Sequence, residues 1–117
     1  MKIDTIQKLL DAEVLCCEDK LGGHVYSACG CDLMSDVLAY VKDQAVLLTG
    51  LVNPQVIRTA VMMDMVCIVF VRSKTPTEEM LALARESGIV VMSTDKTLYT
   101  SCGLLYSNGL RSRSSCT

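Results

Sequence analysis

The chain has no tryptophan, one phenylalanine and four tyrosines, so aromatic side chains make up only 4% of its 117 residues. Any core must therefore be aliphatic, with methionine filling the gaps that rings would otherwise occupy. There is one histidine, His24. Placed at the start of a predicted strand, it reads as an exposed strand residue, and no Ser/His/Asp or Cys/His constellation can be assembled around it. Neither sign of charge dominates. Eleven basic and thirteen acidic side chains leave a net charge of −2, which gives no electrostatic footprint for DNA or RNA. No apolar run approaches the ~20 residues that cross a bilayer. The longest, residues 65–71, reads as a buried strand. The nucleotide loops G-x-G-x-x-G and G-x-x-x-x-G-K-[ST] are both missing, which argues against a P-loop kinase or a dinucleotide-dependent enzyme. Met1-Lys2-Ile3-Asp4 leads into no apolar h-region, so neither a signal peptide nor a membrane is expected, and the predicted location is cytoplasmic.

What is present describes a globular domain. Half of the residues are hydrophobic and 21% are charged. A chain of 117 residues is the size of one domain and buries enough surface to fold without staples. One α/β domain is expected over residues 1–110, followed by a disordered tail at 111–117. Cysteine is abundant: Cys16, Cys17, Cys29, Cys31, Cys67, Cys102 and Cys116. The number is odd and no export signal accompanies it, so these read as reduced, structural thiols. Cys29-Gly30-Cys31 is the most suggestive pair, since two thiolates at this spacing can share a soft metal, with Cys16 and Cys17 on a neighbouring strand. Zinc sites, however, use C-x₂₋₄-C spacing, and no second matching pair exists. Neither metal nor cofactor is expected. Met62-Met63-Asp64-Met65, with Met34 and Met80, reads as core filling, the alternative being an adaptable binding face.

Hydrophobic periodicity alternates between its two regular kinds. Ile3, Ile6, Leu9 and Leu10 fall at helical spacing, with Asp4 or Thr5 able to cap the start. Val14-Leu15-Cys16-Cys17 and His24-Val25-Tyr26-Ser27-Ala28-Cys29 read as strands around the polar turn Glu18-Asp19-Lys20-Leu21-Gly22-Gly23, and the carboxylates of Glu13, Glu18 and Asp19 read as solvated. Asp32 is the expected N-cap of a helix carrying Leu33, Val37, Leu38 and Val41. Ala45-Val46-Leu47-Leu48-Thr49 is a third strand. Asn53-Pro54 supplies an N-cap and an N1 proline for a helix with Val56, Ile57, Ala60 and Val61 on its buried face. Val66-Cys67-Ile68-Val69-Phe70-Val71 is apolar throughout, as a central strand covered on both faces would be. Thr77-Glu78-Glu79 starts a helix lined by Met80, Leu81 and Ala84 and ended by Gly88. Ile89-Val90-Val91-Met92 is the last strand. Thr94 or Asp95 is expected to cap a final helix with Leu98, Cys102, Leu105 and Tyr106, stopped by Gly109. Strands separated by helices of this length are parallel neighbours. The predicted fold is α/β, a three-layer α/β/α sandwich on a mostly parallel sheet of about five strands, in which the first two strands can add an antiparallel member.

In an open parallel sheet, ligands bind beyond the carboxyl ends of the strands, where helix N-termini also point. Four segments fall there: Cys29-Gly30-Cys31-Asp32, Thr49-Gly50-Leu51-Val52-Asn53, Arg72-Ser73-Lys74-Thr75 and Ser93-Thr94-Asp95-Lys96. The candidate ligand contacts are Gly30, Asp32, Thr49, Gly50, Asn53, Ser93, Thr94 and Lys96. These residue types suit a phosphate or another small anion, and equally suit helix caps and loop turns.

The pattern resembles the DRTGG-domain family over about residues 1–110. Residues 9–17 match its opening helix-to-strand step, followed by Gly22-Gly23-His24-Val25-Tyr26. Cys31-Asp32-Leu33-Met34-Ser35-Asp36-Val37-Leu38 looks like the family's D-L-L-S-D-V-M helix start. Asn53 with Val56 and Ala60, Ile89-Val90-Val91-Met92-Ser93-Thr94-Asp95, and Leu105-Tyr106 follow in kind and order. The chain departs where relatives carry a T-G-G-type turn after the fourth strand, since it has Val71-Arg72-Ser73. The resemblance extends to the N-terminal domain of HPr kinase/phosphorylase, which has this fold without the kinase site. Family members stand beside CBS pairs and in phosphotransacetylases as non-catalytic regulatory parts, and single-domain members are encoded near iron-only hydrogenase systems.

The resemblance implies a non-catalytic regulatory or ligand-sensing domain, with no catalytic residues. It would bind a nucleotide or other small anion at the strand carboxyl edge. The alternative is a homo-oligomeric protein-interaction module without a ligand, a homodimer that docks on an enzyme or regulator of an anaerobic system of the iron-only hydrogenase type.

Overall fold

The computed structural model describes residues 1–40 and 44–111, the side chain of Tyr40 excepted. In chain order the elements are α1 (Ile3–Leu10), β1 (Glu13–Cys16), a single 3-10 turn (Glu18–Lys20), β2 (Ser27–Gly30), α2 (Met34–Tyr40), β3 (Ala45–Thr49), α3 (Pro54–Met62), β4 (Cys67–Phe70), α4 (Glu78–Ser87), β5 (Val90–Ser93) and α5 (Leu98–Ser107). The strands form one sheet in the order β1-β5-β4-β3-β2. β2, β3, β4 and β5 are parallel, and β1 lies antiparallel on β5. The expected α/β sandwich is therefore present, and of the first two strands β1 is the antiparallel one.

Two cores lie on the two faces of this sheet. Ile68 and Phe70 of β4 point into one, with Val37 of α2, Val56, Ile57 and Ala60 of α3, and Met80 and Ala84 of α4. Cys67 and Val69 point into the other, with Ile3, Ile6 and Leu10 of α1 and Leu105 of α5. Residues 67–70 are 0% exposed, because β4 is covered on both sides and its alternate side chains feed both cores. Among the described residues no helix is long and apolar enough to cross a membrane.

Several local expectations hold. Asn53 Oδ1 accepts the Gln55 N–H at 2.8 Å, with Pro54 at the first helical position. Thr77 caps α4, whose first turn carries Glu78 and Glu79, and Gly88 ends it with φ 72°.

Others are corrected. Neither Asp4 nor Thr5 caps α1, which starts at Ile3 with no side-chain cap. Its first N–H groups donate to the turn instead, Ile3 to Gly23 O and Asp4 to Leu21 O. Cys17 leaves β1 for a left-handed conformation, φ 59°. The second strand is Ser27–Gly30 rather than residues 24–29. His24 makes only an isolated bridge to Lys2 and stacks on Tyr26. Asp32 lies two residues before α2, and its carboxylate bonds across to the β3 loop, so it is not the helix cap. Leu33 and Leu38 are exposed, and Met34 with Val37 makes the inward contacts of α2. Val41 lies outside the described residues. Val61 is 48% exposed, since Thr59 takes the inward position on α3. α5 is capped by Thr97 through Thr100 N, not by Thr94 or Asp95. Thr94 is drawn inward because its hydroxyl donates to Leu10 O at 2.7 Å, tying β5 to the end of α1. Of the predicted tail, residues 112–117 lie outside the described residues.

Candidate functional site

The four β-to-α loops follow β2, β3, β4 and β5, which are parallel and adjacent, so they emerge side by side at the carboxyl edge. Hydrogen bonds stitch them in pairs. Asp32 Oδ1 accepts Thr49 Oγ1–H and Gly50 N–H, both at 2.8 Å, joining the first loop to the second. Thr49 is 0% exposed, and its hydroxyl also accepts Leu51 N–H at 3.1 Å. The third and fourth loops are joined by Arg72 N–H to Lys96 O and Ser73 N–H to Thr94 O, each at 2.8 Å. Ser93 Oγ–H donates to Lys74 O at 2.8 Å. The second and third loops meet at Gly50, where an added Cβ would stand 3.1 Å from Nη2 of Arg72.

Most hydroxyls and amides of the candidate set thus already have partners. Thr49 and Thr94 are buried polar groups and need them. Asn53 is committed to its cap. Lys96 N–H donates to Thr94 Oγ1 at 3.3 Å, which turns the fourth loop. Gly30 is placed by packing, because a Cβ there would stand 2.5 Å from Cys102 Sγ on α5.

The cations are different. Arg72 and Lys74 are exposed and Lys96 is half-buried, and among the described residues none of the three enters an ion pair. Arg72 and Lys74 were absent from the set expected on sequence, although both stand in the third loop. The signal for Arg72 was the replaced turn. Arg72 and Ser73 have φ 54° and 57°, a left-handed conformation that glycine adopts freely and other residues adopt at a cost of about 1–2 kcal/mol each. The chain keeps a glycine-type turn there without glycine, and so gains a guanidinium over Gly50.

Cys16 interacts with Cys17 and Cys67, but among the described residues no cysteine group is placed to hold a metal ion. Cys31 Sγ accepts Leu33 N–H at 3.3 Å, and Cys16 Sγ donates to Ile89 O at 3.4 Å. Burial, then the adjacent Cys17, pushes the Cys16 thiol up to about 11. Burial raises Cys67 and Cys102 as well. Raised values disfavour the thiolate, which is the metal-binding and nucleophilic form. Among the described residues no group of three or more His, Cys, Asp or Glu is placed to hold a metal ion.

The edge is an open, cation-bearing surface braced by internal hydrogen bonds. Its groups can attract and orient an anion, and no described pair of side chains there forms a nucleophile with its base.

Comparison with known proteins agrees on the fold. The chain resembles the CBS and DRTGG domains of the regulatory region of Clostridium perfringens pyrophosphatase, solved with its activator diadenosine tetraphosphate. The TM-score is 0.72 at 17% identity, over 89% of this chain and 45% of that one, so this chain spans under half of that region. No curated protein matches. The DRTGG domain model matches residues 5–107, nearly the whole chain, and the chain belongs to the DRTGG domain family.

Proposed function

We propose that this chain is a regulatory domain that senses an anionic small molecule of the nucleotide class at the carboxyl edge of its sheet. The observation that carries this is the trio Arg72, Lys74 and Lys96, delivered by two adjacent loops without ion-pair partners among the described residues. The surrounding candidates then have distinct parts. Thr49, Asn53, Ser93 and Thr94 hold the loops in shape, while Gly30 and Gly50 let the backbone come close. The cations receive phosphate oxygens, Arg72 as a planar fork and the lysines as point charges. Asp32 bears a second carboxylate oxygen that suits a ribose hydroxyl, as acidic residues do in nucleotide sites. Family membership supports a regulatory, non-catalytic role. The nucleotide activator of the pyrophosphatase region supports the ligand class. The thiol-rich composition fits the cytoplasm.

An NMR titration of the labelled chain with AMP, ATP, diadenosine tetraphosphate and inorganic phosphate tests this. Amide shifts should cluster in loops 30–32, 49–53, 72–75 and 93–96, fade with added salt, and be lost in R72A/K96A. The absence of shifts from every compound at millimolar concentration would reject the ligand site.

A second reading is a homo-oligomeric module that docks on an enzyme or regulator without a ligand. It is favoured by the adjacent exposed side chains Val61 and Met62, 48% and 69% accessible.

A further inference from the structure

The layer formed by α2, α3 and α4 leaves an apolar groove on its outer surface. α3 and α4 form its walls, with Arg58, Val61 and Met62 on one side and Leu83 and Glu86 on the other, around a volume of about 460 Å³. Val61 and Met62 are not spare core residues, because Val56, Ile57 and Ala60 already fill the inward face of α3. A lone exposed hydrophobic residue is ordinary, but adjacent ones beside a groove mark an interaction surface.

The charges of the two walls differ in sign. α3, with the sequence PQVIRTAVM, carries Arg58 and no acid. α4, with the sequence EEMLALARES, carries Glu78, Glu79 and Glu86 against Arg85 alone. Arg58 and Glu86 line the same groove, yet neither enters an ion pair among the described residues. A two-fold axis running along the groove would lay α3 of one copy on α4 of another. Arg58 of each copy then meets Glu86 of the other, twice over, and the pairing closes on itself. Val61 and Met62 would enter the opposite groove beside Leu83, with the flexible thioether adapting to its shape.

We infer that the α3–α4 groove is the face through which two copies of this chain associate. This rests on the second reading above and names its surface. The groove residues Val61, Met62, Leu83 and Glu86 lie near the carboxyl ends of their helices, at the end of the sheet opposite the anion edge. Association therefore leaves that edge open, and the two ideas fail separately.

Sedimentation velocity on the full chain, with R58E, E86R, R58E/E86R and M62E, tests the inference. The chain should be a dimer at micromolar concentrations. R58E or E86R alone should weaken it about tenfold or more by placing like charges together, the double reversal should recover most of the loss, and M62E should be a folded monomer by circular dichroism. As a check that needs no variant, dilution of the labelled chain should shift amides of α3 and α4. A monomer at millimolar concentration would overturn the inference. So would a dimer indifferent to all four variants, singles that weaken without recovery in the double, or dilution shifts confined to other elements.

Discussion

At Gly30 the end of β2 approaches α5 so closely that the space for a methyl group is already taken by Cys102 Sγ, 2.5 Å from where a Cβ would stand. Replacing Gly30 by Ala should cost about 1–3 kcal/mol through overpacking. The cost should shrink when Cys102 is also Ala, which a double-mutant cycle in urea would measure. Equal losses in both backgrounds would show that this contact is not the limiting one. The buried thiols act on stability through pH. Cys16 is held up to about 11 from an ordinary 9.0, by burial first and then by Cys17, and Cys67 is raised by burial. Above about pH 9 the unfolded chain releases these protons while the folded chain keeps them, so the unfolded state binds fewer protons and stability falls as pH rises. Their contribution should be complete below pH 9; that of Cys16 is lost from there to about 11, and that of Cys67, raised further by burial, goes on falling above it. Urea midpoints across that window should drop, and Cys67→Ala should flatten part of the slope. A midpoint constant to pH 11 would contradict the burial of both thiols.

Asn53 shows how an element and a site compete for one side chain. Its Oδ1 is the cap of α3, and Asn53→Ala should lower stability by about 0.5–2 kcal/mol, with Asn53→Ser nearly neutral. Thermal melts of both variants would separate this from a ligand role, which would make Ser as damaging as Ala to nucleotide binding while leaving the melt intact. This element was legible in the sequence because its signals are local: an Asn-Pro start and an apolar face at helical spacing. β4 was legible because nothing polar interrupts it, and α4 because Thr77 and Gly88 bracket it. α1 and α5 were misjudged at their starts, where distant partners decide. The turn carbonyls of Leu21 and Gly23 cap α1, and Leu10 O claims the Thr94 hydroxyl that was expected to cap α5. The site was legible to the same extent. Strand order placed the four loops together, but no local pattern indicates that Asp32 reaches across to Gly50 or that Arg72 folds over it.

Across the whole molecule, α1 and β1 are structural members rather than an appendage. Ile3, Ile6 and Leu10 belong to the core beneath α5, and β1 covers the outer edge of β5. Deleting residues 1–16 should leave a chain that loses its cooperative melt and exposes apolar surface, read by calorimetry and by dye binding. A truncated chain that melts cooperatively near the parent temperature would show that the remaining four parallel strands suffice.

The pairing of β1 with β5 has a consequence for the order of events during synthesis. Glu13 is matched with Ser93, so β1 must wait for β5, the last strand of this sheet to be synthesised. The other neighbours are parallel and need crossovers, so no hairpin is available as an early local nucleus. Ile3, Ile6 and Leu10 share a core with Val90, Met92 and Leu105, so they stay without most of their partners until β5 and α5 have emerged. Cooperative folding should therefore begin only after β5 has emerged, be slow beside a helical bundle of equal length, and depend on whatever shields apolar segments near the exit tunnel.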